Sequence, residues 1–424
     1  MKKKSTFLLL IFLSFIPRVL ATDFYTASST ATLAGNTGVV NANWTTNPDG
    51  LTGLATVAIA VTDNLIILNG GTATITATTT IGALTINTGG TIIHTNGATA
   101  TDFNVNGLLT WNGNIKTLQA VSGSNFFNVN GDVVGSTAQL DMASNRTVYM
   151  RGDGLRTINL SQAATSIINT QNAGINIAKN RKLVGNCKWY SPLIFSGGPA
   201  PATVLDLNGY DLQVSSIQVG NSTRLLKCNP NSTLSISGGQ QLSTLFLDPS
   251  ASTLKQLTID SAMTPANSGA AITITGDLAV STLYFGAASG SALTRSITVT
   301  GNVALANNGT MRVETKGTTA GSLYDQLKAT GNITIGSAAI LQVDLVNSYS
   351  PPTGSIFSFV QSTGTGTTIT GSFATIKDPK DYVSTVTYPS ANTLQYRVDD
   401  KICSYTQTPD LPLLASNATI EAEI

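Results

Sequence analysis

Apolar and polar residues alternate in short runs along most of the chain, and many runs stop at a glycine. The pentapeptide Phe-Asn-Val-Asn-Gly occurs twice, in DFNVNGLLTW (102–111) and in FFNVNGDVVG (126–135), with the copies 24 residues apart. A looser form of the phrase reads apolar, any, apolar, any, Gly, then often Asp or Asn. It recurs in TVYMRGDGL (147–155), VLDLNGYDL (204–212), AITITGDLAV (271–280), SITVTGNVAL (296–305) and LKATGNITIG (327–336). The glycines fall at 107, 131, 152, 209, 276, 301 and 331. Strict alternation predicts strands with one buried face. The glycine and its Asp or Asn neighbour predict a sharp turn through positive φ.

A unit of about 20–30 residues is too small to bury its own apolar face, so it must stack on its neighbours as solenoid repeats do. Short strands, recurrent turns and no helical period predict an all-β chain, a right-handed parallel β-helix, in which stacked Asn and Thr side chains can form ladders. A string of immunoglobulin-like sandwiches would instead repeat about every 100 residues with a core Trp per module. Trp44, Trp111 and Trp189 are spaced 67 and 78 residues apart, in unrelated contexts. The predicted organisation is a leader at 1–21, a lead-in cap at 22–62, the solenoid at 63–345, a terminal coil or small β cap at 346–398, and a tail or linker at 399–424.

Composition narrows the class. Charged residues are 11% and aromatics 6% of the 424 residues. That is too little charge and too much apolar content for a disordered chain, and the richness in Gly, Thr and Asn argues against a helical one. The chain opens with MKKK, an apolar run over 7–16 and RVLA, which together predict a secretory leader cleaved after Ala21. The run is too short to span a bilayer. Loss of Lys2, Lys3, Lys4 and Arg18 with such a leader takes the 23 basic residues to 19 against 22 acidic ones, a net charge of −3. That balance gives no general attraction to nucleic acid. Cys187, Cys228 and Cys403 are an odd number, so at least one is unpaired in the monomer. If Cys187 and Cys228 shared a face two layers apart, their Cα atoms would be about 9–10 Å apart, beyond disulfide reach.

Two segments carry a resemblance. DFYTASSTATLAGNTGVVNANWTTN with the following VTDNLIILNGGTATITATTTIGALTINTGGTI resembles the opening of adhesin-like secreted proteins of Gram-negative bacteria. SLYDQLKATGNITIGSAAILQVDLVNSYSPPTGSIFSFVQSTGTGTTITGSFATI is similar to a segment found late in autotransporter passengers and related β-helical surface proteins. The resemblance implies a β-helical protein at the outer surface or secreted, in the style of autotransporter passengers or type IX secretion clients. The chain departs from both at its end, where DDKICSYTQTPDLPLLASNATIEAEI offers neither a membrane barrel nor a sorting domain. A periplasmic location is the expectation if no outer-membrane export signal exists.

Candidate chemistry is sparse. Arg151-Gly152-Asp153 spells an integrin-type tripeptide, although the repeat already accounts for its Gly and Asp. His94, in TIIHTNG, is the only imidazole, and it reads as an end-of-strand surface residue. Any Ser-His-Asp, Cys-His or histidine metal site would have to be built around it. Asp132 and Asp153 could stack as paired carboxylates, the requirement of a glycosidase, but both sit in turns. The Thr-rich TATITATTT (72–80) is too local for an ice-binding ladder, and Asp260-Ser261-Ala262 matches a bacterial O-glycosylation pattern. The best candidate is AKNRKLVGNCKWYS (178–191), where Lys179, Arg181, Lys182 and Lys188 lie beside Trp189 and Tyr190. Rings beside cations bind acidic glycans by stacking and ion pairing; the plainer reading is a solvated loop between coils.

These features predict a non-enzymatic, structural or adhesive surface protein, with no cofactor, that meets polysaccharide or another cell-surface component through a solenoid face. The alternative is a polysaccharide lyase or glycoside hydrolase on the same scaffold, which would gather three or more charged side chains in a groove on one sheet.

Overall fold

A computed structural model describes residues 21–36, 41–95, 101–117, 126–142, 147–161, 163–165, 174–195, 203–219, 224–236, 244–259, 271–285 and 295–402. Residues 1–20 of the predicted leader, the tripeptide at 260–262, and Cys403 with the residues that follow it lie outside the described residues. All regular structure among the described residues is β-strand. No helix among them is long and apolar enough to cross a membrane. The chain is a parallel β-helix, in two compact units that divide between Val148 and Tyr149.

In the first unit successive coils lay strands on three faces. One face stacks Ala31–Leu33, Thr72–Ile75, Thr91–His94, Asn114–Thr117 and Ala138–Met142. The second stacks Thr79–Ile81, Asp102–Val105 and Phe126–Val129. The third stacks Asp23–Thr26, Asn64–Ile67, Leu84–Ile86, Leu109–Trp111 and Val133–Gly135. The lead-in therefore supplies coil strands of its own, together with an antiparallel pair, Asn41–Trp44 with Ala55–Val57.

The repeated pentapeptide is one coil laid on the next. Phe103 pairs with Phe127, Asn104 with Asn128 and Val105 with Val129. The Phe rings point inward and meet edge to face at 5.1 Å, a favoured aromatic geometry. The Asn side chains form the predicted ladder: Asn128 donates to Asn104 Oδ1 at 2.9 Å, and Asn104 donates to Thr80 Oγ1 at 3.3 Å. Asn130 donates to Asn106 Oδ1 at 2.9 Å in a second rung.

The glycines serve a different purpose from the one expected. Gly209 and Gly276 do adopt positive φ, 88° and 110°, but Gly107, Gly131, Gly301 and Gly331 do not. What demands glycine at those four positions is proximity. A Cβ on Gly131 would overlap the Gly107 carbonyl oxygen, and one on Gly107 would lie 2.7 Å from the Gly82 carbonyl oxygen. In the second unit a Cβ on Gly301 would lie 2.6 Å from the Gly276 carbonyl oxygen, and Gly331 meets Gly301 in the same way. Coils stack backbone on backbone at the turn, so no side chain fits there.

In the second unit one long face stacks Cys187–Phe195, Leu212–Val219, Thr233–Ile236, Thr253–Ile259, Leu278–Phe285, Val303–Thr315, Ala339–Leu345 and Phe373–Lys377. Another stacks Thr244–Phe246, Ala271–Thr275, Ser296–Val299, Gln326–Ala329 and Ile356–Ser362. A shorter one stacks Arg156–Leu160, Arg181–Leu183, Thr203–Asp206 and Arg224–Lys227. Parallel pairing continues past residue 345 to Phe373–Lys377, and the hairpin of Tyr382–Ser390 with Thr393–Lys401 then adds antiparallel to Ile356–Ser362.

The Asp or Asn after each glycine has its own task in this unit. Asp277 Oδ1 accepts the Asn302 N–H at 2.7 Å, Asn302 Oδ1 accepts the Asn332 N–H at 2.9 Å, and Asn332 Oδ1 accepts the Thr368 N–H at 3.0 Å. Each side chain satisfies a backbone donor of the next coil, which a turn between stacked strands would otherwise leave unpaired.

Candidate binding face

Alternation places every second residue of the long face outward, and register decides which outward residues line up. Lys188 pairs with Gln213, Gln213 with Ser235, Ser235 with Thr258 and Thr258 with Tyr284. Tyr284 pairs in turn with Arg312, Arg312 with Gln342 and Gln342 with Lys377. Eight coils thus stack one row of polar residues in register, each half-buried or exposed except the buried Arg312, with steps of about 4.8 Å and a span of about 34 Å. A parallel row runs beside it through Thr233, Gln256, Thr282, Thr310, Ile340 and Thr375. Gln256 bridges the two rows by donating to Thr258 Oγ1 at 2.9 Å. The inward neighbours, Leu212, Leu234, Leu257, Leu283, Met311 and Leu341, are buried and fix the outward set by packing.

At the first coils the row opens into a groove of about 250 Å³ between Ser161, Asn186, Lys188, Asp211, Gln213, Thr233 and Ser235, with Cys187 and Leu212 beneath. Asn186 Oδ1 accepts the Asp211 N–H at 2.9 Å, and Asp211 Oδ1 accepts the Thr233 N–H at 2.7 Å, so the Asx ladder forms one wall.

The basic aromatic stretch predicted as a binding site is split by this geometry. Lys188 joins the row. Trp189, the next residue in the alternation, points inward with no exposed surface and cannot stack on a ligand. Arg181 is likewise fully buried, donating to the Asn180 carbonyl at 2.9 Å and the Gly152 carbonyl at 3.2 Å, so it ties turns together instead of facing solvent. Lys182 points outward on the shorter face, in register with Asp206. Lys179 pairs with Asp153 at 2.9 Å. Tyr190 belongs to the strand Cys187–Phe195, and its side chain is outside the described ones.

Other candidates resolve plainly. His94 is buried, not a surface residue: in Thr91–His94 the alternation turns Ile92 and His94 inward, and Nε2 lies 2.9 Å from Thr101 Oγ1. Arg151 stacks over the Tyr149 ring at 4.7 Å, and the exposed Asp153 carboxyl is held below the usual range by the hydrogen bond from Lys179. Asp132 sits in the first unit and Asp153 in the second. The Thr run 72–80 divides between two faces. Cys187 opens the strand Cys187–Phe195 of the long face, whereas Cys228 follows the strand Arg224–Lys227 of the shorter one; both are free thiols, and burial pushes both up to about 12. Among the described residues no group of three or more His, Cys, Asp or Glu is placed to hold a metal ion.

One charged cluster occupies the long face. Arg312 contacts both Glu314, at 3.6 Å, and Asp344, whose strand lies beside it. Nearby Asp325 is fully buried and accepts backbone N–H groups from Arg295 at 2.6 Å and Glu314 at 2.7 Å. Burial pushes its carboxyl well above the ordinary range, against the pull of those two donors. Glu314 has no exposed surface. Three charged groups do meet on one sheet here, but the glutamate is closed to a polymer. The row was missed in the sequence because alternation reveals which residues point outward, while the coil partner of each depends on loops of unequal length.

The sequence matches no protein-family model, and no curated protein matches it in sequence.

Proposed function

We propose that this is a secreted or cell-surface protein with a structural or adhesive role, which meets polysaccharide or another surface through the long outer face of its second unit. The observation that carries the reading is the register-matched row from Lys188 to Lys377, polar at every coil and uncharged from Gln213 to Tyr284. Hydroxyl, amide and ammonium groups repeated at strand spacing suit a ligand with hydrogen-bonding groups repeated along its length. Each contact is weak, and many together give avidity. The resemblance of both ends of the chain to adhesin-like β-helical proteins supports the same placement at a cell surface.

A lyase or hydrolase on this scaffold is the competing reading, and the Arg312–Glu314–Asp344 cluster is the feature that favours it. Its glutamate is wholly buried, which argues against that role. Glycan-array binding of the purified chain, run beside a turnover assay on the same polysaccharides, tests the proposal. Binding without turnover is the expected result. Turnover of any polysaccharide would replace the adhesive reading with the enzymatic one.

A further inference from the structure

Building on that reading, we propose that the groove at Lys188, Asp211, Gln213 and Ser235 seats one sugar residue of an extended neutral polysaccharide, whose chain continues along the row and stacks on Tyr284. Three observations carry this. The groove, about 250 Å³, lies just below the range of about 300–1,000 Å³ for drug-sized ligands and suits one ring, not a folded oligomer. Its lining residues carry a carboxylate, an ammonium, two carboxamides and three hydroxyls, the pairing of donors and acceptors that sugar hydroxyls require because each both gives and takes a hydrogen bond. Asp211 Oδ1 is held by the Thr233 N–H, so the carboxylate is fixed in place before any ligand arrives.

The second observation is the single outward aromatic of the row. Tyr284 lies three coils beyond Gln213, in register between Thr258 and Arg312, and half-buried by its neighbours. An amphipathic ring flanked by hydroxyls offers an apolar face to a sugar while its edge stays wet. The third is charge. Arg312, the one cation in the middle of the row, is neutralised by Asp344 and Glu314, and a carboxylate, Asp211, lines the groove along with Lys188. An acidic polymer would meet carboxylates at both places, whereas a neutral one would meet none of that repulsion.

The test is calorimetric titration of the full chain with neutral glucan, mannan and xylan oligosaccharides of increasing length, and with polygalacturonate and alginate oligomers as acidic counterparts. Gln213→Ala, Tyr284→Ala and Tyr284→Phe are compared with wild type and with Lys182→Ala, which changes the other face. Melting curves accompany every variant. The expected result is neutral binding that tightens with length, is weakened about tenfold by Gln213→Ala and by Tyr284→Ala, survives Tyr284→Phe, and ignores Lys182→Ala. Binding confined to acidic oligomers, or neutral binding indifferent to Gln213→Ala and Tyr284→Ala in folded variants, overturns this inference and leaves the adhesive face standing. Should Tyr284→Ala fail to fold, Gln213→Ala decides alone. Wild-type protein that binds no oligosaccharide at all overturns the groove assignment and removes polysaccharide from the proposed function.

Discussion

Asn128 donates its side-chain amide to Asn104 Oδ1 at 2.9 Å, although 24 residues separate them. The bond exists because the strands holding them lie one above the other in exact sequence phase, residue for residue from 102 on 126 to 105 on 129. One step of the repeat is one turn of the solenoid, and the polar ladder outside matches the aromatic contact inside.

Removing a rung should therefore be felt. Asn128→Ala deletes the donor at a buried site and leaves Asn104 with one bond fewer. A loss of about 1–2 kcal/mol in unfolding free energy is expected, measured by denaturant titration. On the inward side of the same strands, Phe103→Ala should cost about 3–5 kcal/mol, since it empties a fully buried site against Phe127.

Two glycines separate crowding from backbone conformation. Gly131 has ordinary φ but no room for a Cβ, while Gly154 has φ of 79° and nothing within 4 Å. Gly131→Ala should destabilise by about 3 kcal/mol or more, at the top of the range for overpacking. Gly154→Ala should lose only about 1–2 kcal/mol from left-handed strain. Equal effects in thermal melts would contradict the stacking of glycine on glycine.

The buried Asp325 predicts a pH dependence with a definite sign. Its folded-state pKa is raised by burial, so the folded chain holds the proton over a pH range in which the unfolded chain has released it. The contribution of this group to stability is greatest below about pH 4, the unfolded carboxylate value. It declines as pH rises toward the raised folded value, and is constant above that. The stability of wild type relative to Asp325→Asn, followed by denaturant titration across this range, should fall with rising pH. A difference that rises or stays flat would contradict the burial of that carboxyl.

The thiols give a simple chemical check. With Cys187 and Cys228 buried and raised to about 12, a Cys403→Ser variant should resist alkylation at pH 8 while folded and take up two equivalents when denatured. Rapid labelling of the folded variant would show that these coils open.

Most of the architecture was legible because it rests on local signals. The alternation in DFNVNG gave the inward Phe103 and Val105, and the 24-residue step gave the stacking. The role of glycine was not legible, since positive φ and close backbone approach select the same residue. The binding site was legible only in part. Charge and aromatic density in KWYS drew attention to Trp189, but in a strand with one buried face a ring next to Lys188 must point the other way. Tyr284 and Gln213 carry no local mark at all. Their alignment follows from a register set over several coils.

That register is also the most direct thing to measure. Spin labels placed at Lys377 and, in turn, at Gln213, Ser235, Thr258 and Tyr284 report the distance along the row by pulsed dipolar spectroscopy. Stacked coils predict a separation of about 29 Å for the Gln213 pair, shrinking by about 4.8 Å with each successive position. Distances that fail to shorten in that order would contradict the stacking, and with it the continuous outer face.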